Sequence, residues 1–383
     1  MTMVNQGIEP RATEYLSRKA AFLGIPLSGT FELTPVCNMA CKMCYVRMTA
    51  QEQQAIAPLA TTEQWLDLAK TAQSQGMLYL LLTGGEPFLR SDLFDLLKEL
   101  QNMGLLVSIN TNGTLINEKM VEKLCQYPPV RLNVTLYGAS DDTYARLCGN
   151  PKGFTQVDRA VNLLKEAGLT VKLNCSLTPH NAGDLDAMFA YAREKELVLQ
   201  TCGYMFPPLR RDPSMVGMNE RFTPEEAAYY SARIACHAQG EERFLTQVEN
   251  APMPSDPEDC GTYEGAGDSM TCRAGRCGFW VTWDGRLMPC GMFPGENAPN
   301  VFTGDFAAAW EQVKREAAAI RLPTQCAACH EKNRCKTCAA MVLTETGGFS
   351  QAPKYRCAMT KFYPYACHQV AEEWKEKNAH EEK

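Results

Sequence analysis

The feature that most narrows what this chain can become is its cysteine: 18 of 383 residues, unevenly placed. Cys37, Cys41 and Cys44 fall within eight residues near the start, and eight more lie between Cys272 and Cys357. Small secreted domains spend cysteine on disulfides, but this chain is long and its N-terminus, MTMVNQGIEPRATEYLSRKAA, has no apolar signal core. Metal or cluster ligation at two separate sites is the better reading. With 45% hydrophobic and 21% charged residues, a sizeable core is available and global disorder is excluded. The net charge of -6 disfavours a nucleic acid or an anionic membrane as partner. No run reaches the roughly 18 apolar residues of a membrane helix, so the chain reads as cytoplasmic.

Between 29 and 204 one theme repeats, a short apolar or alternating run followed by a polar, helix-compatible stretch. The runs are TFELTP (30–35), LYLLLTGG (78–85), LVSINTNG (106–113), VRLNVTLYG (130–138), VKLNCSLT (171–178) and VLQTCGY (198–204). Segments such as TTEQWLDLAKTAQSQG carry a Thr start signal and a Gly stop. Six βα units predict an α/β fold with a parallel sheet, either curved as a partial barrel or laid flat and doubly wound.

Polar residues at period two favour the curved form. Arg131, Asn133, Thr135 and Tyr137 share one face of their run; Asn174, Ser176 and Thr178 share a face in the next, and Ser108, Asn110 and Asn112 do so earlier. A flat parallel sheet covered by helices should be apolar on both sides. A partial barrel with a polar, ligand-holding lumen explains the pattern; edge strands or misread loops are the bland alternative. Residues 205–271 are rich in Pro, Gly and Asp around one helical stretch and read as a bridge. An N-terminal extension (1–28), a cysteine-rich domain (272–367) and a charged tail (368–383), expected as a frayed helix, complete the division.

The spacing C-x3-C-x2-C of Cys37, Cys41 and Cys44 directly follows the first run, where the catalytic loops of βα barrels lie. Three thiolates leave one iron of a [4Fe-4S] cluster without a protein ligand, open to substrate or cofactor. After the second run stands Gly84-Gly85-Glu86-Pro87: glycines for close backbone approach, a carboxylate able to accept from an ammonium group, and a proline that fixes the turn. Together these motifs resemble the radical S-adenosylmethionine (SAM) superfamily, over about 29 to 204, and imply its partial (β/α)6 TIM-like barrel. By that resemblance Cys37, Cys41 and Cys44 hold the cluster, the open iron chelates SAM, and Gly84 to Pro87 meet its amino end. Asn112 and Thr135 match contacts to the SAM ribose or carboxylate, and Arg146 in TYARLCG matches an arginine pairing with that carboxylate. The residue before the third cysteine is usually aromatic in the family; here it is Met43, with Tyr45 close by.

The later cysteines run Cys272-x4-Cys277-x12-Cys290, Cys326-x2-Cys329-x5-Cys335-x2-Cys338, then Cys357. C-x2-C pairs are commonly zinc knuckles, but zinc ribbons space their knuckles by roughly 15 to 20 residues and one zinc takes only four thiolates. Two zinc ions stay open; eight thiolates also suit two fully ligated [4Fe-4S] clusters. The pattern, with Gly285 ahead of Cys290, is similar to the SPASM extension of some radical SAM enzymes. That likeness implies Cys272, Cys277, Cys290 and Cys338 on auxiliary cluster one and Cys326, Cys329, Cys335 and Cys357 on cluster two. The family usually has three residues, not Lys336 and Thr337 alone, between the last two cysteines of the run. Cys125, Cys148, Cys175, Cys202, Cys236, Cys260 and Cys367 read as buried small hydrophobes, Cys202 being the one that could face substrate.

The resemblance implies an oxidoreductase that cleaves SAM to a 5'-deoxyadenosyl radical, with three [4Fe-4S] clusters and SAM as cofactors and a flavodoxin- or ferredoxin-type electron donor. Its leading substrate is a ribosomally made precursor peptide receiving a thioether or carbon–carbon crosslink (RiPP maturation). With 28 residues ahead of the barrel, leader recognition is expected from the barrel, the bridge or a separate leader-binding protein. The alternatives are a sulfatase-maturase-like oxidation of Ser or Cys, a small-molecule dehydrogenase, and, from another class, a non-catalytic iron–sulfur electron carrier.

Overall fold

The computed structural model describes residues 11–251 and 267–381. Each of the six runs supplies one strand: β1 (Ser28–Glu32), β2 (Tyr79–Thr83), β3 (Leu106–Thr111), β4 (Arg131–Thr135), β5 (Val171–Ser176) and β6 (Leu199–Cys202). They pair in parallel in the order β6-β5-β4-β3-β2-β1, each joined to the next through helical crossovers. The architecture is mixed α/β, the partial TIM-like barrel of radical SAM enzymes.

The alternation along the strands decides which face meets the helices. Leu80, Leu82, Val107, Ile109, Leu132, Val134 and Leu173 are buried on the outer face, against crossover residues such as Trp65, Leu96 and Leu100. The helix Thr62–Ser74 starts at a capping box in which Thr61 and Gln64 satisfy each other's backbone N–H, and it buries Trp65, Leu68, Ala69 and Ala72. The inner face carries Asn110, Asn133, Thr135, Asn174 and Ser176, all on one cavity wall, so the expected polar lumen is present.

Two strands were not expected. β7 (Gly278–Val281) runs parallel to β1 with Ser28 opposite Gly278, and β8 (Leu287–Met288) returns antiparallel to it. The cysteine-rich region therefore extends the barrel sheet to eight strands. In sequence both were masked by the flanking cysteines and by their brevity, four and two residues. Gly285 makes the turn between them at φ +88°, where a Cβ would stand 2.4 Å from the Phe302 ring.

Two buried ion pairs fasten the regions together. Arg210, from the bridge, grips Glu32 at the end of β1 through both guanidinium nitrogens (2.7 and 2.9 Å), and Trp280 of β7 donates its indole N–H to the same carboxylate (2.7 Å). Arg221 pairs with Glu345 and lies over the Tyr355 ring, 3.6 Å from its centroid. The region read as a charged tail is helical: one helix, Lys354–Glu381, runs through it and packs along the helix Pro224–Gln239, burying Val370 and Ala371. Of the proposed divisions, residues 1–10, 252–266 (with Cys260) and 382–383 lie outside the described residues. Among the described residues no helix is long and apolar enough to cross a membrane.

Candidate active site

At the C-terminal ends of the strands the loop after β1 carries Cys37, Cys41 and Cys44 onto the wall of a cavity of about 540 Å³. Gly84, Gly85, Asn112, Thr135 and Cys202 line the same space, along with Tyr137, so five of the sequence-derived candidates share a wall with the first three cysteines. The loop is held by backbone bonds to a neighbour sequence reasoning did not connect with it: Ala40 N–H donates to Cys148 O (2.8 Å) and Lys42 N–H to Leu147 O (3.1 Å), at the end of the helix Asp141–Cys148. Cys148 is buried as expected, yet its thiol lies against Cys41 and is the main cause, ahead of burial, that pushes the Cys41 thiol up.

Burial likewise raises Cys37, to about 11, and Cys44. Backbone N–H groups oppose this, Met39 donating to Cys37 Sγ (3.4 Å) and Arg47 to Cys44 Sγ (3.3 Å). Three soft donors, stabilised by amides and waiting only for positive charge to become thiolates, fit an iron–sulfur cluster. Among the described residues no three His, Cys, Asp or Glu side chains converge as ligands of a single ion. Cluster thiolates bind different irons and stand further apart.

The GGEP loop is built differently from the expectation. Gly84 sits at φ +142°, and a Cβ there would lie 2.3 Å from Thr34 O; at Gly85 it would lie 2.2 Å from Val36 O. The glycines thus admit the backbone of the cysteine loop, to which Gly85 N–H (2.6 Å) and Glu86 N–H (2.9 Å) donate. Glu86 was expected to accept from the SAM ammonium through its carboxylate. Instead it and Pro87 lie behind the wall, and Glu86, fully buried, accepts from Thr111 Oγ1 (2.8 Å), Asn112 N (2.7 Å) and Phe88 N (3.1 Å). Burial lifts its pKa to about 7 against those three donors. Its effect on the cavity passes through Asn112, whose amide in turn donates to Asn38 Oδ1 (2.8 Å).

Arg146 is not brought to the cavity: it is exposed and donates to Thr143 on its own helix (3.0 Å). Tyr45 lines the cavity beside Met43, its ring under the Arg210 guanidinium at 5.4 Å. Cys202 is exposed on the wall at the end of β6, its thiol directed to Tyr204 O (3.6 Å).

The C-terminal cysteines fall into two sets. Burial raises Cys290 and Cys338, and after it Cys272 acts on both, with Cys338 also acting on Cys290. Cys357 is raised by burial and then by Cys335 and Cys329. Cys335 and Cys338 therefore face different sets although two residues separate them. The cause is local: Lys336 adopts φ 47°, a left-handed turn that ends the short helix Lys332–Cys335. Cys277, expected on cluster one, is likewise acted on by Cys272 after burial and the flanking Arg273 and Arg276, but its surroundings set it apart. Its side chain is fully buried against Ala20 and Leu27, with its thiol directed to Ser17 O (3.6 Å).

Residues 31–192 match the sequence profile of the Radical SAM superfamily. The barrel is a radical SAM domain, whose cofactors are SAM and a [4Fe-4S] cluster. The chain thus carries a radical SAM domain and is an enzyme of oxidoreductase type. It is similar to an AdoMet-dependent heme synthase of Methanosarcina barkeri (strain Fusaro / DSM 804), at 25% identity over 88% of this chain and 97% of that one. It is also similar to the PqqA peptide cyclase of Rhizobium meliloti (strain 1021), at 24% identity over 69% and 67%. The solved structure of anSMEcpe with bound AdoMet and Cp18Cys peptide shares its fold, with TM-score 0.65 at 20% identity over 91% of this chain and 99% of that one.

Proposed function

We propose that this enzyme oxidatively modifies a ribosomally made peptide, with Cys37, Cys41 and Cys44 holding the SAM-binding cluster. The observation that carries the reading is the continuity of the cavity: the three thiols open directly onto the lumen rather than onto a closed shell. When bound, SAM and the cluster supply reductive cleavage of the sulfonium and removal of hydrogen from an unactivated C–H bond. The chain's part is placement. Backbone groups of Gly84 and Gly85 face the methionyl end, Asn112 and Thr135 offer polar contacts above the lumen, and Tyr45 and Met43 give an apolar wall. Cys202, on the opposite rim, faces the substrate. Cys272, Cys290 and Cys338 are assigned to one auxiliary cluster and Cys326, Cys329, Cys335 and Cys357 to a second. The likeness to a PqqA peptide cyclase and to a fold solved with a peptide supports a peptide substrate.

The test is anaerobic reconstitution followed by dithionite and SAM, with the short peptides encoded beside the gene as substrates. Release of 5'-deoxyadenosine together with a peptide lighter by two hydrogens is the expected result. Deoxyadenosine with no change in any peptide would favour the second reading, a tetrapyrrole-modifying enzyme, which the full-length likeness to a heme synthase supports. No deoxyadenosine from a fully loaded protein would return the chain to the electron-carrier class.

A further inference from the structure

The cavity does not stop at the thiols. It descends the barrel past Thr135 and Asn133 to Arg131 on β4, past Asn174 to Lys172 on β5, and to Gln200 on β6. At about 3.3 Å of rise per residue, Arg131 lies roughly 13 Å below Thr135. This lower end of the lumen is thus cationic in a protein whose net charge is -6, and it is open: Arg131 and Gln200 are exposed and Lys172 is half-buried. None of the residues lining the cavity is Asp or Glu, and neither cation has an ion-pair partner among the described residues. Lys172 donates to the neutral Gln200 amide, and its pKa is lowered by burial and then by Arg131. Two like charges stand at the open end of the cavity with no carboxylate on its wall to pair with either.

A second observation points at a ligand. Asn133 is only 6% exposed, and its amide donates to Asn110 Oδ1 (2.8 Å), but its own Oδ1 has no partner among the described residues. An unpaired buried acceptor is costly to strip of water, and it stands opposite Lys172 in the strand register. The site offers two cations and one acceptor.

We propose that this lower end is a carboxylate subsite: Arg131 and Lys172 receive an acidic group of an elongated substrate, and Asn133 Oδ1 accepts from an N–H next to it. The inference rests on the reading that substrate enters the lumen, and it selects substrates long enough to carry a carboxylate about 13 Å below the level of Thr135. An acidic peptide side chain and a tetrapyrrole carboxylate share this chemistry, so the experiment has an arm for each. Calorimetric titration of the full chain, loaded with iron, sulfide and SAM, would use N-acetyl-L-aspartate N-methylamide against its asparagine counterpart, and coproporphyrin III against its tetramethyl ester. The acid of at least one pair should bind about tenfold or more tightly than its neutral twin, as charged hydrogen bonds predict. The pair that discriminates identifies the source. An R131Q/K172Q double variant should lose the discrimination while R131K/K172R retains it. Equal binding of acid and neutral twin in both pairs, or discrimination that survives in R131Q/K172Q, overturns the subsite. Both outcomes are read without turnover, so they are independent of whether deoxyadenosine forms.

Discussion

The barrel lumen and the C-terminal cysteine region solve one problem, holding reactive side chains still, by opposite means. In the lumen each polar residue sits on a strand whose register is fixed by parallel pairing and by an apolar outer face: Asn110 opposite Asn133, Thr135 opposite Asn174. Around Cys326 to Cys338 there are only the short helices Thr324–Ala328 and Lys332–Cys335, neither with a fully buried residue. A sheet positions its side chains with or without a ligand. A stretch that buries so little cannot offset its ordering entropy by packing alone, and whatever its thiolates bind becomes its core.

The strongest way to break this contrast is to remove iron from reconstituted protein and follow amide hydrogen exchange. Protection across 322–338 should fall toward that of an unfolded chain, whereas β2 to β4 should keep theirs. Equal loss in both regions would mean that the barrel, too, depends on its cluster for order.

Next in size is the fastening between the regions. Glu32→Gln leaves the buried Arg210 without its counter-charge, and breaking one partner of such a pair costs about 3–5 kcal/mol. A large drop in melting temperature is expected. A drop of only a degree or two would mean that Arg210 escapes to water and the fastening is looser than the geometry shows.

Glu86 sharpens the contrast from inside the barrel. Its folded pKa of about 7 lies above its ordinary value of 4.5, so the folded state holds the proton more tightly. Its contribution is fully present below pH 4.5 and is lost as pH rises through 7, about 3 kcal/mol in all. Chemical denaturation across pH 4 to 8 should therefore show a declining component that Glu86→Gln abolishes. An unchanged slope in the variant would assign the pH dependence elsewhere.

The smallest effect separates neighbouring cysteines. Cys277→Ala, which removes one buried sulfur and no proposed ligand, should cost about 1 kcal/mol and leave iron content unaltered. Cys338→Ala should lower it by up to one cluster's worth. Iron loss in Cys277→Ala would restore Cys277 to the ligand set.

Much of this site was legible because strands advertise themselves by period. Arg131, Asn133 and Thr135 alternate with Leu132 and Val134, and that alternation alone points to a polar lumen. Cys37, Cys41 and Cys44 were found by spacing. Glu86 was misplaced for a physical reason: a motif names residue types, while the direction of a side chain depends on what closes over it, here Thr111 and Asn112 from the next strand. Cys148 was rightly read as buried, but spacing could not show that it lies against Cys41 across a helix end, nor that Cys277 lies against the helix Ala12–Leu23.

The sequence by itself determined the six strands, their polar inner face and the two cysteine-bearing regions, because periodicity and spacing are local properties of a chain. Tertiary structure alone decided that β7 joins β1 and that Glu86 lies behind the cavity wall, bonded to Thr111 and Asn112. It also decided that a single left-handed residue, Lys336, sends Cys335 and Cys338 to different sets. Each of these depends on residues far apart in sequence or on one backbone angle, and neither leaves a periodic trace.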